Sequence, residues 1–248
     1  MTPLWIVAFL DLPSATHEAG ADFWSGVTGF NRGPQRGEQG QFATLVPPAG
    51  TDYLRVQRLE EHTPRVHLDL HVKDPAAAAT EIERLGAEVL ASPYDDLRTM
   101  SSPGGLVFCL VPESGGVRPP PTTWPDGRTS FVDQVCLDIP PSAYDDELAF
   151  WAAVTGWRRR DPAPGSEFGR LTPGPEQPLQ LLLQRLDEEQ DRVTAHLDWA
   201  ASDHEAEVAA HETAGAEIQG RFEGWTVLRD PAGLTYCVTR RRPGDRPE

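Results

Sequence analysis

A chain of 248 residues in which 22 Lys and Arg face 38 Asp and Glu carries a formal net charge of −16. That balance excludes a nucleic-acid partner, whose phosphates need a basic surface, and a polybasic membrane anchor. With 39% hydrophobic and 24% charged residues the composition is that of a globular protein, and no apolar run approaches the ~20 residues of a membrane-spanning helix.

The opening MTPLWIVAFLDLP has no basic segment before its short apolar run and meets Asp11 at once, so it reads as a strand over 4–12 and not as a signal peptide. A helix over 16–28 follows, with Ala21, Phe23, Trp24 and Val27 on one stripe and Gly29 at its end. Strands over 41–47 and 52–59 flank a Pro-Pro-Ala-Gly turn, and a further strand covers 65–73. Asp74 then caps a helix that has Pro75 at its first position and ends near Gly86. Strands over 96–101 and 105–112 close this stretch around Ser-Pro-Gly-Gly.

The same course then repeats. Phe23-Trp24-Ser25-Gly26-Val27-Thr28-Gly29-Phe30 returns as Phe150-Trp151-Ala152-Ala153-Val154-Thr155-Gly156-Trp157, an offset of 127. His67-Leu68-Asp69 returns as His196-Leu197-Asp198 at 129, and Pro103-Gly104-Gly105 with Cys109 returns as Pro231-Ala232-Gly233 with Cys237 at 128. Landmarks in one order at a nearly constant offset predict two homologous domains, 1–113 and 130–243, joined by a proline-stiffened linker over 114–129. Each half reads as two βαβββ modules. Three cysteines, Cys109, Cys136 and Cys237, are too few for a disulfide framework, and a cytoplasmic location is the expectation.

Strand parity separates an apolar from a chemical face. Leu68, Leu70 and Val72 alternate with His67, Asp69 and His71, and Leu54 and Val56 alternate with Tyr53, Arg55 and Gln57. In the second half Leu197 and Trp199 oppose His196 and Asp198, and Val135 and Leu137 oppose Gln134, Cys136 and Asp138. Leu181 and Leu183 oppose Gln180 and Gln184, and Tyr236 and Val238 oppose Cys237. The second set is polar but rich in His, Gln and Cys where a solvated face would carry Lys and Glu, which predicts a concave surface for a small molecule. Six tryptophans read as core by stripe and parity, except Trp225, which lies beside a strand edge and is a pocket candidate. Asp145-Asp146-Glu147 reads as a charged first helical turn, favourable for the helix dipole, and Arg240-Arg241-Arg242 as a short basic tail.

The paired modules, the Phe-Trp-x-x-Val-Thr-Gly-aromatic helix end, the His-Leu-Asp-Leu-x-Val-x-Asp-Pro junction and the Asp-Pro-x-Gly turn at Asp230 together resemble the vicinal oxygen chelate superfamily. This is the glyoxalase/bleomycin-resistance/dioxygenase group, and the chain is most similar to its two-domain glyoxalase-like proteins of actinobacteria. The resemblance spans nearly the whole chain. It implies an α+β fold in which each half curls a mixed sheet around a cup, with the helices on the convex side.

In metal-using relatives four side chains of the cup hold a divalent ion. By strand position these correspond here to Val7, Gln57, His67 and Cys109, and to Gln134, Gln184, His196 and Cys237. Valine cannot ligate, both carboxylates are missing, and one His with one Cys falls short of a usual zinc set. The expectation is therefore no metal and no cofactor. The reading is a metal-independent small-molecule binding protein that sequesters a natural product or aromatic metabolite. Its ligand contacts would come from Arg55, Gln57, Asp69, His71, Cys109, Gln134, Gln184, Asp198, Trp225 and Cys237. The alternative is a glyoxalase-like enzyme (lyase, isomerase or cyclase) using His67 or His196 as general acid/base, or one with a divalent metal. The resemblance also implies a monomer serving as its own pseudo-dimer, or a homodimer.

Overall fold

A computed structural model of the chain describes residues 2–60, 62–112 and 115–244. The first half runs β1 (Trp5–Pro13), α1 (His17–Thr28), β2 (Asn31–Arg32), β3 (Phe42–Val46), β4 (Leu54–Leu59), β5 (Arg65–Val72), α2 (Pro75–Glu83), β6 (Glu88–Tyr94), β7 (Leu97–Ser101) and β8 (Val107–Pro112). The expected linker contributes β9 (Thr122–Thr123), and the expected boundary at 113–114 lies outside the described residues. The second half runs β10 (Thr129–Ile139), α3 (Tyr144–Thr155), β11 (Arg158–Arg160), β12 (Phe168–Thr172), β13 (Gln180–Arg185), β14 (Thr194–Ala201), α4 (His204–Thr213), β15 (Glu217–Arg221), β16 (Trp225–Arg229) and β17 (Thr235–Thr239).

Each half builds one mixed sheet, giving two tandem α+β domains. The first has the order β2-β3-β4-β1-β5-β8-β7-β6, and the second β11-β12-β13-β10-β14-β17-β16-β15, with β9 pairing beside β10. β5 and β8 run parallel, as do β14 and β17, while the hairpins around them are antiparallel. The helices form where their punctuation says they should. Asp74 accepts from the Ala77 N–H at 2.9 Å, and Asp203 from Ala206 at 3.1 Å, each meeting a donor that the helix itself leaves free. Gly29 and Gly156 close α1 and α3 at φ 71° and 64°, a left-handed cap that glycine adopts without strain.

Packing groups the modules differently from the sheets. One compact unit comprises Met1–Ala8, His67–Val117 and Val135–Ala195, and the other Phe9–Val66, Arg118–Gln134 and His196–Glu248. Each unit therefore combines a module of one half with a module of the other.

In the first unit Phe108 of β8 packs against Phe150 and Trp151 of α3, with ring centroids 6.2 and 5.2 Å apart. Asp145, Asp146 and Glu147 open α3 as the acidic first turn that the sequence predicts, and Glu147 turns inward. It is fully buried, accepting from the Gly104 N–H at 2.6 Å and from the Trp151 indole at 2.7 Å. A turn from the other half covers it, and burial raises its carboxyl pKa above the ordinary value.

In the second unit Trp24 of α1 packs on Trp199 and Tyr236, with centroids 5.2 and 5.3 Å apart. Its indole donates to Asp230 at 2.6 Å, and the same carboxylate accepts from the Ala232 and Leu234 N–H groups at 2.8 Å each. Gly20 lets α1 approach this turn: a Cβ there would lie 2.8 Å from the Ala232 Cβ. Within the basic tail, the Arg241 guanidinium makes a two-pronged pair with buried Asp133 at 2.7 and 2.9 Å. Tyr53, assigned by parity to the cup face, precedes β4 and is fully buried between Phe30 and Phe131, at centroid distances of 5.9 and 5.4 Å. Among the described residues no helix is long and apolar enough to cross a membrane.

Candidate functional site

The alternation of β5 sends Leu68 and Leu70 into the core and puts His67 and Asp69 on the opposite face, where 8% and 7% of their surface stays accessible. Parallel pairing sets Asp69 beside Cys109 of β8, and the β7–β8 hairpin sets Thr99 beside the same cysteine. Asp69, Cys109 and Thr99 thus form one row across three strands of the first unit. The Cys109 thiol donates to the Thr99 hydroxyl at 3.9 Å, and the His67 Nε2 lies 3.6 Å from the Asp69 Oδ1.

One nitrogen, one carboxylate oxygen and one sulfur, from His67, Asp69 and Cys109, lie within 4.8 Å of one another. The distance of 3.6 Å between His67 and Asp69 is too long for a hydrogen bond. It matches the edge of a metal tetrahedron, which bonds of 2.0–2.3 Å make about 3.3–3.8 Å long. The donor set therefore fits a divalent ion held by three protein ligands with coordination left open. The family's strand positions at Val7 and Gln57 do lack carboxylates, but Asp69, two residues along β5 from the histidine, supplies one.

The second unit repeats part of this arrangement. His196 Nε2 stands 3.4 Å from Asp198 Oδ1, and the Gln134 amide donates to the other oxygen of the same carboxylate. Asp198 pairs in register with Cys237, whose antiparallel neighbour is Val227, where the first half has Thr99.

The other candidates are more dispersed. His71 follows on β5 beside Val111. Arg55 binds Asp52 at 3.0 Å and lies over the Phe9 ring, 5.8 Å from its centroid. Gln57 stands opposite Phe42 on β4. Gln184 of β13 accepts from the Cys136 thiol at 3.8 Å. Trp225 is half-buried and stacks on Phe222 at 5.0 Å, a ring pair at the start of β16. Thr99 was not singled out by the sequence, and Asp69 was read as a ligand contact and not as a metal donor.

The glyoxalase-like domain family matches residues 8–111 and 134–239. Among solved structures the chain is similar to a mutant of 4-hydroxymandelate synthase from Streptomyces coelicolor at 15% identity, covering 98% of this chain and 94% of that one with a TM-score of 0.62. It is similar to the 2,3-dioxygenase LapB from Pseudomonas sp. KL28 at 14% identity, covering 100% and 95% with a TM-score of 0.66. A catechol 2,3-dioxygenase shows 13% identity, 99% and 92% coverage and a TM-score of 0.59. No curated protein matches at a significant level. At these identities the likeness is one of fold, that of the vicinal oxygen chelate dioxygenases. With two matched segments that together span most of its length, the chain belongs to the glyoxalase-like domain family.

Proposed function

We propose that the chain is a glyoxalase-like enzyme that transforms a small oxygen-bearing molecule at His67, Asp69 and Cys109, with a divalent metal held by these three. The observation that carries this reading is the convergence of an imidazole nitrogen, a carboxylate and a thiol within 4.8 Å on one sheet face. Family membership supports it, because the fold presents its ligands on this face. When bound, the ion would supply Lewis-acid polarisation of a substrate oxygen. Asp69 and the Cys109 thiolate would balance the ion's charge, and neutral His67 would complete the set. Cys109, Cys136 and Cys237 are in no disulfide, which supports a reducing, cytoplasmic setting. A small molecule is the only partner the reading needs, and the fused pair of halves would act as a monomeric pseudo-dimer.

The test is calorimetric titration of chelator-stripped protein with zinc, followed by turnover assays on a panel of small oxo and hydroxy compounds. One ion should bind, Asp69→Ala and His67→Ala should weaken it at least tenfold, and turnover should need the ion. If no ion binds but a small aromatic compound does, the protein is instead the metal-free binder or sequestering protein that Val7 and Gln57 would suit.

A further inference from the structure

We infer that the first half holds a thiolate-selecting, zinc-type centre and that Thr99 is the positioning residue that keeps Cys109 a ligand. The inference rests on the metal reading above and goes beyond it by naming the metal class and a residue outside the ligand set. The argument begins with donor softness. Relatives with carboxylate-containing sets suit oxygen-preferring ions, whereas a cysteine at the end of this set favours zinc or another borderline ion over magnesium or manganese.

A thiol becomes such a ligand only by losing its proton, here to solvent, so a neighbour that stabilises the thiolate strengthens the site. Thr99 is placed for that task. It sits directly across from Cys109 in the β7–β8 register, its hydroxyl is 3.9 Å from the sulfur, and both residues are half-buried on the same face. The thiol donates to the hydroxyl while protonated. Once the sulfur is ionised the direction reverses, because the hydroxyl can rotate to donate to the thiolate.

The molecule contains its own contrast. In the second half the register neighbour of Cys237 is Val227, a side chain of nearly the same shape that cannot donate. The register position across from the cysteine thus carries a hydroxyl in one half and a methyl in the other, although both cysteines keep an aspartate on their other flank, Asp69 and Asp198.

The experiment loads the full chain with cobalt(II) as a spectroscopic probe for zinc. Wild type should show thiolate-to-cobalt charge-transfer absorption, and zinc should displace the cobalt while magnesium should not. Cys109→Ser should remove the band. Thr99→Val should keep the fold, as judged by circular dichroism, while weakening zinc binding about tenfold or more and shifting the band. Thr99→Ser should restore both, which a purely structural threonine would not explain. Cobalt bound without the charge-transfer band, or a band that survives Cys109→Ser, overturns the thiolate assignment and leaves the proposed metal enzyme standing. Thr99→Val with wild-type affinity and spectrum overturns the role of Thr99. Failure to bind any cobalt or zinc removes the metal reading itself, and this inference with it.

Discussion

Glu147 and Asp230 are buried, and each accepts a tryptophan indole N–H and at least one backbone N–H of a turn. Replacing Trp24 or Trp151 by Phe leaves a buried carboxylate short of a donor, which should cost about 1–3 kcal/mol in urea unfolding. Burial raises both carboxyl pKa values above their ordinary 4.5 and 3.8. A group with a raised folded pKa contributes stability that is full below its unfolded pKa and is lost as pH rises through its folded one. Stability should therefore decline as pH climbs from the ordinary carboxylate range upward, and Glu147→Gln should flatten that slope, measured as unfolding midpoints across pH. The sequence shows Glu147 only as the last of three acids opening a helix. Nothing local reveals that a turn from another module will cover it. His67 and Asp69, by contrast, are legible from β5 alternation alone. The Cys109–Thr99 pairing was also within reach, since both stand five residues from Gly104 at the centre of the hairpin turn.

At the scale of elements, α1 and α2 illustrate two ways that local sequence and tertiary packing share control. Asp74 at the start of α2 is exposed and acts only through its cap bond, so Asp74→Ala should lower stability by about 1 kcal/mol and little else. Gly20 in α1 is a poor helix former, and alanine there would gain about 1 kcal/mol of propensity. The added Cβ, however, would press to 2.8 Å on both Ala232 and the Leu12 side chain. Gly20→Ala should therefore destabilise by about 1–3 kcal/mol net, because overpacking outweighs propensity, and the thermal midpoint should fall. Helices were legible because caps and stripes are local. The second strand of each module was counted by the repeat but not placed. β2 has two residues, and β6 is exposed along its whole length, so neither carries an alternation to read.

For the whole molecule, the repeat at an offset near 128 correctly announces two tandem domains, and each sheet follows one half. It does not announce that each packed unit takes one module from each half. Periodicity records which face of an element is apolar, not which other element will meet it. The core of the second unit makes the point: Trp24 from the first half closes on Trp199 and Tyr236 from the second. A fragment ending at residue 112 would leave Trp24 without these partners. It should be unfolded, or associate with itself, under conditions where the full chain is folded. Size-exclusion chromatography with circular dichroism checks this.

The two buried carboxylates also act as a pairing key. At corresponding places in the repeat the helices carry Gly20 and Glu147, and the turns carry Ser102 and Asp230. In one unit the acid comes from the turn and meets the Trp24 indole of the other half, and in the other unit it comes from the helix, takes the Trp151 indole of its own helix and meets the Gly104 N–H of the other half. Two copies of the first half would combine Gly20 with Ser102 and give Trp24 no acid. Two copies of the second would bury Glu147 and Asp230 around a single indole, two like charges side by side. Each wrong pairing is penalised for an opposite reason, so the fused chain discriminates against self-paired halves by where it keeps its acids.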